Sequence, residues 1–549
     1  MTVVDSFLHP ERRALLPSAS TEKKLSPDKD GSLLGSCLRP LHRLCSCAYL
    51  QRTIPSVKSN EEEKAVEGTS STTWTQTAKY AISVTLLGVC IALCTAGILA
   101  RQTPVAADTN PAVALVLMWV LMWWLGILEG GQGCLVGLQP VDPAQFQHSH
   151  PYTYACTQLA HKGDNLNRFI VGRQFFVVLV VFLLNLVCTV VVDFDVPGAP
   201  HALMAGLVAS GLAVMIITVM IGQLAAEVNA TNCMFDFVNS RIVWVTTVMC
   251  LVIEASGLLH SVYLVKCFFS TETNSEDSAN KTLGERLWYW TRMVFSVGFL
   301  FAALAVTCDA LWHGETTMYP GLTTIASFAV FFGLVCFLGL LEAIQIAAFA
   351  VVKLPPDVVA KNAAADANCR LVFRGRNFKA VLIGRQICVT TSMFLLARIT
   401  TTNVDPGDLV DTSTTMSTVL GVPAAIQDFF NTGLPGALIT TIVASLWWRI
   451  LAASFPIAFM ANPVVHWTIR LCLCLEATGI FSAAWLLADG IKWMMGLKSD
   501  DVYLTSKEIT EDEMELGKSD SSTLLTQRSS DSDDTIGSLS RTSSDEFSI

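Results

Sequence analysis

From about residue 80 onward, long apolar runs alternate with short polar connections, and each run of 18 or more residues is long enough to cross a bilayer as a helix. Ten spans are predicted, at roughly 80–100, 112–136, 169–192, 202–225, 242–266, 289–311, 322–352, 380–398, 434–460 and 464–489. Residues 1–77 and 491–549 lack such runs and are rich in Ser and charged residues, so both are predicted to be disordered.

The spans divide into two copies of one pattern. Residues 155–174 align without gaps on 367–386, with seven of 20 positions identical. Chance gives about one or two at ordinary residue frequencies. Cys250-Leu-Val-Ile-Glu-Ala-Ser-Gly257 reappears as Cys472-Leu-Cys-Leu-Glu-Ala-Thr-Gly479. Five spans per copy is an odd number, which would make the copies enter the membrane in opposite directions. The expected fold is therefore an all-α polytopic membrane protein with ten transmembrane helices as two inverted five-helix repeats. Its divisions are a cytoplasmic region at 1–77, repeats at 78–267 and 289–490, an extracellular linker at 268–288 and a cytoplasmic tail at 491–549. Inverted repeats of this kind are a transporter signature, with ligand sites at the repeat interface.

Composition agrees: 52% of residues are hydrophobic, only 15% are charged, and the mean hydropathy is +0.50. The net charge of −10 sits largely in the tail and argues against nucleic-acid binding. None of the 17 cysteines forms a Cys-x-x-Cys pair, and most lie inside apolar runs as small core residues. Ahead of the first run there is no apolar segment of the signal-peptide kind.

Orientation pulls two ways. Lys58, Lys64 and Lys79 before the first span favour a cytoplasmic amino terminus, yet the connection 353–379 carries six basic residues and would lie outside in the inverted arrangement. Asn280-Lys-Thr282 is a glycosylation acceptor suited to the outside. Acidic di-leucine patterns at Glu11–Leu16 and Asp520–Leu525 resemble cytoplasmic trafficking signals and imply adaptor partners. Both termini are placed inside. Cys45 and Cys47, in the basic stretch 38–52, suit either palmitoylation or a solvated linker.

Polar residues inside apolar runs carry the candidate chemistry, because such groups are expensive in hydrocarbon. Glu129-Gly-Gly-Gln132 is followed by Gly172-Arg173-Gln174, and the set returns as Glu342-Ala-Ile-Gln345 and Gly384-Arg385-Gln386. Carboxylates and amides together offer acceptors and donors to a polyhydroxylated ligand. Alternatively, each Glu forms a buried ion pair with its Arg that locks two helices. Both readings stay open, and the glutamines are the cleaner ligand candidates. Gln139 has no second-half counterpart, since Val352 stands at the same offset. Glu254 with Ser256, and Glu476 with Thr478, set a carboxylate beside a hydroxyl. Oxygen groups of this kind suit a hard cation such as sodium at an unwound helix, with a proton carrier and plain helix packing as the rivals. Gly222-Gln223 is a further polar lining pair. His148, His150 and His161 match no metal spacing, Arg449 and Arg470 have no alignable counterparts, and no catalytic motif is present.

Duplicated Glu-Gly-x-Gln and Gly-Arg-Gln motifs in such a chain resemble the silicic acid (silicon) transporter family of diatoms and other silica-forming protists, over about residues 78–490. The resemblance departs at Ala343, where the first copy has Gly130, and in the Ser/Asp-rich tail, which replaces a coiled coil. It implies sodium-coupled uptake of silicic acid, Si(OH)4, at the plasma membrane, with no cofactor and no enzymatic step. The residues fit such a substrate, because a small neutral solute with four hydroxyls is matched by a ring of amides, acids and arginines. A passive channel for polar solutes and a polytopic receptor remain the alternatives.

Overall fold

The computed structural model describes residues 70–190, 204–265, 283–317, 323–375, 377–402 and 419–500, together with Tyr503. The di-leucine patterns, Cys45, Cys47 and the Asn280 triplet lie outside these residues. Residues 498–549 form a second unit, and every helix of the bundle belongs to the first.

Eleven helices carry the architecture. The first half contributes α1 (Ser70–Leu99), α2 (Pro111–Gly137), α3 (Asn165–Cys188), α4 (Leu212–Asn232) and α5 (Arg241–Ala255). Corresponding helices in the second half are α6 (Leu283–His313), α7 (Thr324–Val351), α8 (Asn377–Thr400), α9 (Leu434–Ser454) and α10 (Pro463–Ala477), followed by α11 (Ala483–Met495). Several starts are set by side-chain caps: Asn110, Ser240, Thr323 and Asn462 each accept from a backbone N–H in the first turn.

Among the described residues eight helices, not ten, are long and apolar enough to cross a bilayer. The predicted spans 242–266 and 464–489 each stop after 15 residues. At 1.5 Å per residue that is roughly 22 Å, short of the ~30 Å hydrocarbon core. Each stop is local in origin. Gly257 and Gly479 take φ of +92° and +70°, a left-handed backbone that ends a helix. Ser256 and Thr478 donate back to the carbonyls of Ile253 and Leu475, both at 2.7 Å.

The inverted relation falls with the count. Within the first half, α2 and α3 are antiparallel: Glu129 meets Arg173, Trp124 meets Phe176, and Leu135 accepts from His161. Helices α2 and α4 run parallel, since Gly126 faces Ala226 and the Cys134 thiol donates to Ala230 O. Hence α4 opposes α3. It also opposes α8 of the second half, because Gly211 lies against Arg398, Gln223 against Thr390, and Asn232 shares a cavity wall with Lys379. Two helices that both oppose α4 point the same way, so α3 and α8, equivalent positions of the two copies, are parallel. The copies are repeats of the same direction, as four full crossings per half require.

This geometry gathers the connection 353–375, the amino-terminal end of α1 and the amino-terminal end of α6 on one face of the bundle. Lys79, Lys162, Lys353, Lys361, Arg370, Arg374 and Lys379 lie toward that face, whereas among the described residues of the opposite connections Arg101 is the basic one. The conflict over the basic loop disappears. As a check, epitopes inserted after Lys361 and ahead of α1 are expected to react with antibody from the same side of the membrane; labelling from opposite sides would restore the inverted arrangement.

Candidate functional site

Small residues set the site's geometry by letting backbones touch. A Cβ on Gly172 would overlap the Cys250 carbonyl, and one on Gly384 the Cys472 carbonyl, so α3 crosses α5 as α8 crosses α10. Arg173 and Arg385 follow directly in sequence and are aimed inward, 2% and 6% exposed. Arg173 Nη1 binds Glu129 Oε2 at 2.7 Å and Arg173 Nη2 donates to Gln174 Oε1 at 2.9 Å. In the second half Arg385 Nη1 stands 3.5 Å from Glu342 Oε2, and Arg385 Nη2 donates to Gln386 Oε1 at 2.8 Å. Gln174 and Gln386 are buried, while Gln132 and Gln345 are half-buried and make no side-chain hydrogen bond among the described residues.

Arg449, which has no counterpart at the 213-residue offset of the glutamates, completes the second copy. It donates from Nε and Nη2 to Glu342 Oε2, at 3.0 and 2.8 Å. Its equivalent is Glu227, found by the 222-residue offset that also relates Cys250 to Cys472. The halves thus carry Glu129–Arg173–Glu227 and Glu342–Arg385–Arg449. Arg173 and Arg385 each act electrostatically on both Glu227 and Glu342, so the two sets form one cluster of three acids and three arginines. Gln223, one turn before Glu227, lies in a π-helical stretch (Thr218–Leu224) that the second half repeats at Thr440–Leu446. Such stretches recur at functional sites. Gln223 accepts a hydrogen bond from Thr390 across the halves, and its Nε2, like Arg173 Nε and Arg385 Nε, has no partner among the described residues.

Beside the cluster lies a cavity of about 250 Å³, bounded by α4 of the first half and by α8, α10 and α11 of the second. Glu227, Thr231, Asn232, Lys379, Glu476 and Ser482 supply its polar wall. It opens at the basic face, where Asn232 and Lys379 are exposed, and reaches inward to Leu224 and Ile387. In the other copy Tyr263 packs edge-on against His260, and the Trp447 indole donates to Ser261 O at 3.2 Å.

The two predicted ion motifs differ likewise. Glu254 is buried and held by Arg168 Nε at 2.6 Å, with Tyr263 Oη at 3.4 Å. Glu476 lies on the cavity wall with no ion pair among the described residues, and Ala380 stands where Arg168 would be. Each break is clasped by the first helix of the opposite half. Arg292 on α6 donates to Glu254 O and Ala255 O at 2.9 and 2.7 Å, and Lys79 on α1 donates to Ala477 O at 2.8 Å. One turn on, Ser296 bridges Leu258 O and Ser261 N, as Ser83 bridges Ile480 O and Ala483 N. Offsets of 213 residues relate Lys79 to Arg292 and Ser83 to Ser296, a signal present in the sequence.

The histidines have structural work: His150 binds Asp236 at 2.9 Å and His161 the Leu135 carbonyl at 2.8 Å. Among the described residues no group of His, Cys, Asp or Glu is arranged to hold a metal. Glu342, 2% exposed between two arginines, is the structural keystone. Removing one partner of a buried ionic set costs about 3–5 kcal/mol. Glu342→Gln is therefore expected to lower the melting temperature of the detergent-purified protein well below that of Glu129→Gln, whose carboxylate is 17% exposed and contacts one arginine; equal melting temperatures would remove the keystone role.

A family model described as silicon transporter matches residues 70–545. No curated protein matches the chain, and no solved structure does. The match spans the whole helical bundle with both copies of the motifs, and the chain belongs to the silicon transporter family.

Proposed function

We propose that the protein is a secondary active transporter that takes up silicic acid across the plasma membrane, coupled to sodium, by alternating access of its two parallel halves. One observation carries the reading. Where the halves meet, Gln174 and Gln386 are flanked by buried donors without partners among the described residues: Arg173 Nε, Arg385 Nε and Gln223 Nε2. A buried donor left unmade costs about 1–3 kcal/mol, so such a set favours a ligand rich in oxygen acceptors. Si(OH)4 brings four hydroxyls that each accept and donate. Its neutrality matches a cluster whose three acids and three arginines already cancel, whereas an anion carrier needs uncompensated cations.

The cavity supports an approach route to that layer. It is smaller than the pockets of drug-sized ligands, and Glu227 belongs both to its wall and to the charge cluster. Glu129, Gln132, Glu342 and Gln345 border the layer as further substrate contacts. Glu254 with Ser256 and Glu476 with Thr478 remain the candidates for the coupling ion, since a neutral solute gains nothing from the membrane potential. The distribution of basic residues supports placing the basic face, with both ends of the bundle, in the cytoplasm. The cavity then corresponds to an inward-open state.

Sealed vesicles separate this reading from a passive channel. Silicic acid is expected to accumulate above its outside concentration when an inward sodium gradient is present and to stop at equality without one; indifference to sodium would leave the channel. Gln174→Ala and Gln386→Ala are each expected to cut uptake of silicic or germanic acid by about tenfold or more, in line with the loss of a contact to a polar ligand, while the protein still reaches the surface. Full uptake in both variants would remove the amides from the site.

A further inference from the structure

The two Glu-Ala-Ser/Thr-Gly breaks are alike in sequence, yet the protein treats them differently. A helix end leaves four carbonyls without intrahelical partners and carries partial negative charge, so a cation belongs there. At the first break that cation is fixed. Arg292 donates to two carbonyls, Arg168 grips the Glu254 carboxylate, and Tyr263 and His260 close the remaining space. A guanidinium with bonds to two carbonyls presents a rigid fork that a free ion displaces poorly.

At the second break every one of these fixtures is lighter. Lys79, on a flexible stem and exposed, makes one bond, to Ala477 O at 2.8 Å. Among the described residues no arginine pairs with Glu476, because Ala380 replaces Arg168, and the carboxylate opens on the cavity together with Gly479 and the Ser482 hydroxyl. The stem of Lys79 lies against Gly479 itself, where a Cβ would overlap it.

From this we infer that the second break alone is the working coupling-ion site: a monovalent cation, sodium, binds between the Glu476 carboxylate and the carbonyls at the end of α10, in exchange for the Lys79 ammonium. The ammonium is a tethered stand-in that holds the helix end when the ion is absent. Ser83 keeps the far side of the break in place through Ile480 O and Ala483 N while the exchange occurs. The first break, with Arg292 and Arg168 in the same positions, is a permanently filled copy that serves structure. One ion site per chain follows from two copies of the motif. This assignment rests on sodium-coupled transport and narrows its ion from two candidate sites to one.

The test is sodium-driven silicic acid uptake by the full chain in proteoliposomes, with sodium varied against choline and the melting temperature of the purified protein followed in the same two salts. Lys79→Arg, a conservative change that exchanges the yielding cation for a forked one, is expected to raise the half-saturating sodium concentration by about tenfold. Glu476→Gln is expected to do the same and to abolish the rise in melting temperature that sodium gives the unmodified protein, since an ion that binds only the folded state stabilises it. Arg292→Lys, in the filled copy, is expected to leave sodium half-saturation within about twofold even where it lowers total stability. Unchanged sodium dependence in both Lys79→Arg and Glu476→Gln overturns the site, as does an equal shift in the Arg292→Lys protein. Uptake by the unmodified protein that ignores sodium is a different result: it removes the coupling itself, and the site with it.

Discussion

Charge buried in the interior of a membrane protein has to be cancelled within hydrogen-bonding reach, and that constraint organises the bundle. Glu342 sits between Arg385 and Arg449, Glu129 on Arg173, and Glu227 within the field of both central arginines. Each pair joins different helices: α2 to α3, α7 to α8, α7 to α9. Bringing these long side chains into register requires close crossings, and Gly172 and Gly384 permit them by giving the Cys250 and Cys472 carbonyls room. The charge network and the glycine contacts are thus two sides of one packing solution. An arginine cannot shed its proton to escape burial, so each central guanidinium needs a carboxylate within reach.

Duplication supplies the scaffold twice, but the chemistry is not duplicated. Glu227 answers Arg449, Gln223 answers Ser445, and Thr390 answers Val178 when the copies are aligned. Arg168 answers Ala380, with an ion pair on one side and a cavity wall on the other. Every one of these differences falls where the halves face each other or beside a broken helix. The shared positions, Glu129 and Glu342, Arg173 and Arg385, Gly257 and Gly479, keep the backbone of each copy in the same shape. The cavity beside α10 accordingly has a wall that the first copy does not reproduce residue for residue.

The repeat and its landmarks were plain in the sequence because identity at fixed spacing needs no knowledge of the fold. The pairing of Glu129 with Arg173 and of Glu342 with Arg385 was legible for the same reason. What hydropathy could not reveal was that 242–266 and 464–489 are interrupted. A window average counts Leu, Val and Ala alike on either side of a turn, and it is blind to a single glycine at positive φ. That miscount changed the parity, and parity fixed the direction of the second repeat. The basic loop at 353–379 was the contrary signal, since its charge favours the side occupied by Lys79. Glu227 and Arg449 escaped because the offset between copies grows from 212 at α8 to 222 beyond it, and one offset cannot align both sets of landmarks.

A neutral solute and a charged ion place different demands on this interior. The central cluster balances three acids against three arginines, so a solute without charge enters and leaves it with no electrostatic work of its own. An ion finds no spare countercharge there. In the cavity wall the Glu476 carboxylate has no ion pair among the described residues. On the proposed reading a monovalent cation at the end of α10 meets that unpaired carboxylate, whereas the matching position in the first copy, already holding Arg168 and Arg292 against one Glu254 carboxylate, would repel it. On the proposed reading solute and ion take adjacent but distinct places, the solute at the amides between α3 and α8 and the ion at the break beside α8. Glu227, on the cavity wall and within the field of Arg173 and Arg385, stands between these two proposed places.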